Sequence, residues 1–344
     1  MTGRAAAVQG GLAALGLLAA HLTWQREPEH APGSVVVIDA SKSDVTLVHY
    51  ADDAGSVELT RGHGGSDPLV WLHLIVKPKT DTKSDPKHPG KVVENKGAPP
   101  RDLPGSEGAA KIYDEFAPLV SPRAFGVLDA SKLKELGLDA PKRKLDVTVK
   151  GDVRHYEIGQ PSNASAGESF LLDKRDGRVY LMPRSMLQEL QNAAHMVDRR
   201  LHAFEPAEYD RVVISSGGKQ KEFLQVGREA HATAGLVSPK TPDKRDQMAK
   251  NWTDAVWRLF PSDLLGKGED PENGKVAVAV RVDYFEKKER VGWIEIGRPE
   301  TASGMSDDSA PSTETYVRTE HTAGWAKVPG GQIIADAQKL ISAP

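Results

Sequence analysis

A nine-residue segment occurs twice in this chain and limits the folds that the chain can adopt. The first copy runs Glu157-Ile158-Gly159-Gln160-Pro161-Ser162-Asn163-Ala164-Ser165. The second runs Glu295-Ile296-Gly297-Arg298-Pro299-Glu300-Thr301-Ala302-Ser303, at an offset of 138 residues, and six of the nine positions are identical. A repeat with this spacing indicates two tandem copies of one structural unit rather than a single larger one.

Each copy follows a run in which polar and apolar residues alternate, which is typical of a half-buried strand. Glycine tolerates positive φ, and proline cannot donate a hydrogen bond to a neighbouring strand. We therefore predict strands over 154–158 and 292–296 that end where the motif begins to turn. The motif positions with this structural role are Glu157, Ile158, Gly159, Pro161, Glu295, Ile296, Gly297 and Pro299.

Length and composition favour a folded body and exclude several kinds of chemistry. The chain has 344 residues, of which 39% are apolar and 27% charged, and this is enough for two domains of ordinary size. The net charge of −3 gives no sign of a nucleic-acid-binding surface, which needs clustered positive charge. Because cysteine is absent, disulfides, thiolate zinc sites, iron–sulfur clusters and cysteine nucleophiles are all excluded.

The N-terminal segment predicts a membrane anchor. Residues 5–24 carry no formal charge and are rich in alanine and leucine. Twenty helical residues span about 30 Å, the thickness of the hydrocarbon layer of a bilayer. Arg4 precedes the segment, so the positive-inside rule places residues 1–4 in the cytoplasm and the body outside. A retained single-pass helix is the preferred interpretation, and a cleaved signal peptide or a buried core helix are the alternatives.

The rest of the chain divides into a stalk and two repeats. Residues 25–34 are predicted to form the stalk, 35–206 the first repeat and 207–344 the second. Residues 78–108 are rich in lysine, proline, aspartate and glycine, so we predict a long solvated loop inserted into the first repeat. Helices are predicted over 109–119, 131–136, 184–199, 252–260 and 332–340. The expected fold class is α+β: two tandem repeats of a mainly antiparallel sheet with packed helices, preceded by one transmembrane helix.

A charged segment lies where the two repeats meet. It reads Asp198-Arg199-Arg200-Leu201 and is followed by Phe204. We predict that Asp198, Arg199 and Arg200 fix this junction through capping and ion pairs.

Several of these segments resemble a known bacterial family, the domain of unknown function 4340. The resemblance covers residues 109–214 well and the second repeat more loosely, and the insert at 78–108 departs from the family pattern. It implies an N-terminal membrane anchor and a duplicated body outside the cytoplasm, often encoded beside ABC-transporter components of the gliding-motility type. It implies no catalytic residues. The matching segments are Leu136-Gly137-Leu138-Asp139-x-Pro141, Tyr156-Glu157-Ile158-Gly159, Arg178-Val179-Tyr180-Leu181 and the junction Asp198-Arg199-Arg200-Leu201 with Phe204.

Three groups of residues could carry chemistry, and each has a simpler structural interpretation. Glu157 and Glu295 could serve as paired glycosidase carboxylates, but equivalent positions of two repeats are expected on separate sheets. His195, Asp198 and His202 could lie on one helical face and hold a metal, but a structural role is preferred. The acidic stretch 263–274 lacks the spacing of a calcium loop. We predict no catalytic, cofactor or metal residues.

Two functions fit these observations. The preferred hypothesis is a non-enzymatic, single-pass protein of the bacterial inner membrane, with a periplasmic body that binds or scaffolds a partner, such as an ABC-type membrane complex. No cofactor and no nucleic acid are expected. The alternative hypothesis is an envelope enzyme or ligand-binding protein that acts on polysaccharide or peptidoglycan in the cleft between the repeats.

Overall fold

The computed structural model describes residues 33–343 apart from 63–67, 78–98, 162–167, 229–233 and 301–313. The predicted cytoplasmic tip, the membrane segment 5–24 and nearly all of the stalk lie outside the described residues, as does most of the predicted loop 78–108. Among the described helices, none is long and apolar enough to cross a membrane.

The predicted α+β class is wrong, because the chain is mostly β. Strands hold 46% of the described residues and helices only 19%. Two physical reasons account for the error. The helix predicted over 184–199 is α-helical only over Arg184–Gln191, and a 3-10 turn follows it. Polar stretches that looked like loops contain edge strands, for example Thr241–Arg245, where exposed side chains hide the pairing of the backbone.

The first repeat is a nine-stranded antiparallel sheet with a separate two-stranded ribbon. The ribbon pairs β1 with β6, and the sheet has the order β5-β4-β3-β2-β8-β9-β10-β11-β7, in which helices interrupt the sequence of strands. The elements are β1 Val35–Ile38, β2 Val45–Ala51, β3 Gly55–Arg61, β4 Val70–Val76, β5 Arg101–Pro104, α1 Glu107–Asp114, β6 Leu119–Ser121, β7 Ala124–Val127, α2 Ala130–Glu135, β8 Arg143–Val149, β9 Asp152–Pro161, β10 Ser169–Asp173, β11 Arg178–Met182 and α3 Arg184–Gln191.

The second repeat contains a second nine-stranded sheet with the order β15-β14-β13-β12-β17-β18-β19-β20-β16. The two sheets have the same strand order. The strands β12–β15 are equivalent to β2–β5, β17–β20 are equivalent to β8–β11, and β16 is equivalent to β7. The elements are β12 Arg211–Ser216, β13 Lys219–Val226, β14 Gly235–Ser238, β15 Thr241–Arg245, α4 Gln247–Trp257, β16 Asp263–Leu264, β17 Val276–Glu286, β18 Glu289–Pro299, β19 Thr315–Thr319, β20 Ala326–Val328 and α5 Ile333–Ser342.

One strand and the start of one helix lie where the sequence predicted the inserted loop. The strand β5 and the start of α1 lie inside 78–108, so the solvated loop does not extend to residue 108. Ser106 caps α1 by accepting a hydrogen bond from the backbone N–H of Ala109. Asp246 caps α4 in the same way, through the N–H of Ala249. Each capped helix therefore begins directly after the outermost strand of its repeat.

The duplicated motif continues its strand, and the predicted exit at Gly-x-Pro is wrong. The strands β9 and β18 run on to Pro161 and Pro299. Neither Gly159 nor Gly297 has positive φ. Their role is close packing, because a Cβ at Gly159 would overlap the carbonyl oxygen of Leu136 and one at Gly297 that of Ala277. Both repeats thus need glycine here so that another backbone segment can approach.

One apolar core extends through both repeats. Alternate residues of the central strands are buried, for example Val48 and Tyr50 in β2 and Val212 and Ile214 in β12. Buried residues of α1, α3, α4 and α5 belong to the same cluster of side chains. The opposite sheet faces carry the polar side chains, so each sheet has an inner face under helices and an outer face toward solvent, as expected for antiparallel sheets.

The glycine of the motif can be tested directly. We expect Gly297→Ala to lower the free energy of unfolding by about 1–3 kcal/mol, because the new methyl group must push away the backbone at Ala277. Urea denaturation of the described body measures the change. Gly331→Ala is the matched control, since a Cβ there meets no atom within 4 Å. Equal stability of the two variants would contradict the close-packing role.

Candidate functional site

The junction between the repeats is bound to the edge of the first sheet. Val197 forms an isolated antiparallel bridge with Gly105, directly after β5. The N–H of Asp198 donates to the carbonyl oxygen of Pro104 at 2.8 Å. The chain therefore leaves the first repeat along β5 before it enters the second.

Asp198 links the junction to the second repeat. Its carboxylate accepts hydrogen bonds from the guanidinium of Arg200, the closest at 2.7 Å, and from the backbone N–H of the same residue. It also lies 3.0 Å from Nε2 of His321, in the turn after β19. Asp198 is only 7% exposed. The predicted role of Asp198 and Arg200 in ion pairing thus corresponds to contacts in the structure, whereas Arg199 is exposed.

A second carboxylate–histidine pair joins the same two segments, with the acid and the histidine exchanged between them. Here the junction supplies the histidine: Nδ1 of His202 lies 3.0 Å from Oε1 of Glu320. The other oxygen of Glu320 accepts from the backbone N–H of Trp293 at 2.8 Å. Since Glu320 and His321 are neighbours in one turn, that turn is held to the junction by two pairs with opposite arrangement of acid and base.

The charge of Asp198 is strongly favoured in this setting. Burial acts to raise the pKa of the Asp198 carboxyl, but the hydrogen bonds from His321 and Arg200 outweigh it and hold the pKa well below its usual range. The folded structure therefore stabilises the ionised form of the Asp198 carboxyl more than the unfolded chain does.

Aromatic rings surround His202. The imidazole stacks on Trp257 with ring centroids 4.7 Å apart and an interplanar angle of 13°. Phe204 and Tyr284 approach it at 4.9 and 5.4 Å. Burial raises the pKa of the Tyr284 hydroxyl well above its ordinary value. Gly292 makes room for this cluster, because a Cβ there would overlap the ring of Phe204.

A third contact between the repeats involves Arg101 on β5. Its guanidinium donates to Glu269 at 2.8 Å and to Asp263 of β16 at 2.9 Å. Burial acts to lower the pKa of Arg101, but the hydrogen bond to Glu269 and the charge of Asp263 raise it overall. The backbone at Gly266 lies against β5, where a Cβ would come 3.4 Å from Cα of Arg101. The acidic stretch 263–274 therefore binds an arginine of the other repeat.

The two glutamates of the motif lie at equivalent places on separate sheets. Glu157 accepts from Nζ of Lys174 at 2.9 Å. Glu295 accepts from Arg281 at 2.6 Å and from Arg318 at 2.7 Å. Glu157 is held in one ion pair and Glu295 in two, each on its own sheet, so the structure does not bring them together into one site.

A row of alternating acids and histidines crosses the outer face of the first sheet. The register places one such residue on each of six adjacent strands, β5, β4, β3, β2, β8 and β9. Two ring nitrogens contact one carboxylate: Asp146 lies 3.4 Å from His49 and 2.8 Å from His155. In strand order the row is Asp102, His73, Glu58, His49, Asp146 and His155. The sequence shows one member per strand, and only the register reveals the row.

The predicted metal alternative for His195, Asp198 and His202 does not match the positions of these residues. His195 is exposed in the 3-10 turn after α3, while Asp198 and His202 are engaged in different pairs. In the part of the chain that the structure describes, no group of three or more histidine, aspartate or glutamate residues could hold a metal ion.

An open apolar groove lies between α4 and α5 in the second repeat. Its volume is about 850 Å³, and Met248, Trp252, Ala255, Leu259 and Ile333 are among its lining residues. Met248 remains 54% exposed, and Phe260, just beyond the end of α4, is 62% exposed. Large apolar side chains that are exposed beside a groove are a feature of interaction surfaces.

Comparison of the chain with protein-family models, with curated proteins and with solved structures finds no match. The resemblance to the family of unknown function described above therefore stays a prediction.

The pairing of Asp198 leads to a pH-dependent prediction. Because its folded pKa is depressed, its contribution to stability is present above the unfolded pKa, about 3.9, and is lost as the pH falls through the folded value. We expect Asp198→Asn to destabilise the protein by about 2–4 kcal/mol at pH 7. The difference from the unmodified protein should shrink below pH 4. Urea unfolding at pH 7 and pH 3 measures it.

Asp139→Asn serves as the control, since Asp139 is exposed. A destabilisation by Asp198→Asn that is equally large at both pH values would show that the amide disturbs packing rather than removing a charge interaction.

Proposed function

We propose that this chain is a non-enzymatic binding protein that holds an apolar segment of a protein partner in the groove between α4 and α5. The observation that carries the proposal is a difference between the repeats. Phe260 in the second repeat is 62% exposed, and its counterpart in the first, Leu119, is only 2% exposed.

The equivalence of these two residues follows from a serine two positions later in each repeat. Ser121 donates its hydroxyl to the carbonyl oxygen of Leu181 in β11 at 2.8 Å. Ser262 donates to Lys327 in β20, the counterpart of β11, at 3.1 Å. Counting back two residues from each serine aligns Leu119 with Phe260.

The first repeat shows how this position is covered. There β1 pairs with β6, with Ile38 opposite Leu119 and Val36 opposite Val120. Ile38 is fully buried in the core. Among the described strands, none takes the place of β1 in the second repeat. In the first repeat the short apolar strand β1 covers this surface, whereas in the second repeat the equivalent surface is uncovered by any described strand. The apolar character of β1 indicates that an apolar segment of a partner would fit there.

Pro261 restricts how a partner can bind. It stands where Val120 pairs with β1, and it has no N–H to donate. The N–H of the next residue, Ser262, is used by Lys327 at 2.8 Å. Docking therefore depends on apolar side chains that enter the groove rather than on the addition of a full β-strand.

The proposed setting is the bacterial inner membrane, with the body on the periplasmic side and residues 5–24 as a single anchor. The support is the uncharged length of that segment and the preceding Arg4. The resemblance described above favours a subunit of an ABC-type membrane complex as the partner.

The groove is tested by capture of the full chain through a C-terminal tag after mild solubilisation of native membranes. We expect transporter subunits to be recovered in stoichiometric amount and to be lost with Met248→Asp, because Met248 lines the groove and a carboxylate cannot enter an apolar contact without a large desolvation cost. Val127→Asp is the matched control, since Val127 is 70% exposed on β7, at the far edge of the first sheet. Recovery of the same proteins with both variants would refute docking at the groove.

The anchor is tested separately. A chain in which residues 5–24 are replaced by a cleavable export signal should appear in the soluble periplasmic fraction, while the unmodified chain should sediment with membranes and resist extraction with carbonate. Extraction of the unmodified chain by carbonate would contradict a transmembrane anchor.

The alternative hypothesis, a ligand-binding protein or enzyme that uses the cleft between the repeats, draws support from a cavity at the junction. The aromatic and positively charged lining of this cavity favours a ligand other than polysaccharide.

A further inference from the structure

A cavity of about 300 Å³ opens beside the crossed acid–histidine pairs of the junction. This volume is at the lower end of the range for small-molecule sites. Its walls combine apolar and aromatic side chains with charged ones. Among the lining residues are Arg199, Arg200, His202, Phe204, Trp257 and Phe260.

The apolar part of the wall suits a flat ligand. Phe204 and Trp257 approach each other edge to face, with ring centroids 5.3 Å apart and an interplanar angle of 69°. Phe260 adds a ring that is largely exposed. Aromatic walls of this kind favour planar apolar groups through offset or edge contacts.

The charged part of the wall is positive in balance. Two guanidinium groups, Arg199 and Arg200, line the cavity together with one carboxylate, Glu205. That carboxylate caps the following 3-10 turn by accepting the N–H of Glu208, while Arg200 is held by Asp198. Arg199 is exposed at the cavity, where its planar fork is suited to bind a carboxylate in bidentate fashion.

His202 belongs to the wall of the cavity but offers no accessible hydrogen-bonding atom to a ligand. Its side chain is only 4% exposed, and Nδ1 contacts Glu320. Its Nε2 is buried. The ring stacks on Trp257 and so helps to fix the position of the aromatic wall.

We propose that this cavity binds a flat organic anion whose carboxylate pairs with Arg199 and whose ring packs among Phe204, Trp257 and Phe260. The simplest ligand of this chemistry is an aromatic carboxylic acid. The same chemistry could reach the site as a free small molecule or as the C-terminal aromatic residue of a peptide. The site shares Leu259 with the wall of the apolar groove and Phe260 with the surface beside it. Arg199 and Phe204 do not line the groove, so Arg199→Gln tests the site whether or not the groove binds a partner.

The experiment is calorimetric titration of the folded protein with matched probes. We expect 2-naphthylmethanol to bind at least about fivefold more weakly than 2-naphthoate because it lacks the anion. N-acetyltryptophan, with a free carboxylate, tests the peptide source. If it binds more tightly than 2-naphthoate, the natural ligand is the end of a peptide; weaker binding assigns a free aromatic acid.

Variants identify the residues. Arg199→Gln should weaken 2-naphthoate about fivefold, and Arg199→Lys should restore part of the affinity, since Arg199 is exposed and neither change threatens the fold. Met248→Asp, in the groove, should change none of these affinities.

The proposal is overturned if 2-naphthoate fails to bind at millimolar concentration, or if it binds no better than 2-naphthylmethanol. It is equally overturned if Arg199→Gln leaves the affinity unchanged. Arg290→Gln provides the charge-matched control, because Arg290 lies on β18 outside the cavity lining and contacts Asp283.

Discussion

The crossed pairs at the junction are the contact on which the arrangement of the two repeats depends. Asp198 and His202 come from the connection, and His321 and Glu320 come from one turn of the second repeat. A buried ion pair is not in itself a source of net stability, because desolvation opposes the Coulomb attraction. Its effect here is on geometry: a shift of the turn would leave two buried charged or polar groups unpaired, so few alternative placements are tolerated.

Much of the β-structure could be predicted from the sequence, and the parts that could not share a cause. Alternation marked β9 and β18 because each has one face toward the core and one toward water. The same signal fails at β15, whose residues are all exposed, and at β5, which is short and lies inside a polar region. Hydrogen bonding in an edge strand leaves no hydrophobic period, so only the three-dimensional register reveals it.

The candidate site shows the same limit. Asp198 and Arg200 could be proposed as a structural pair because they are close in the sequence, but His321 and Glu320 lie more than a hundred residues away. The need for glycine at position 297 was predicted for the wrong reason. Glycine is required either where φ is positive or where another backbone approaches closely, and the sequence motif alone cannot tell these two cases apart. Arg101 was missed altogether, because it lies in a proline-rich segment that was predicted to be a loop, with no local sign that its partners are Asp263 and Glu269.

The contact of Arg101 has a consequence for association between molecules. It places the end strand of one sheet, β5, against the end strand of the other, β16, so that duplication itself shields two of the four sheet ends from pairing with a second molecule. The remaining ends are β7, which is short, and β15, whose Thr241–Arg245 sequence includes proline and three charged residues. Such strands are poor templates for growth. Among the described strands, the ends of the two large sheets are therefore covered, short or charged, which disfavours strand pairing between molecules.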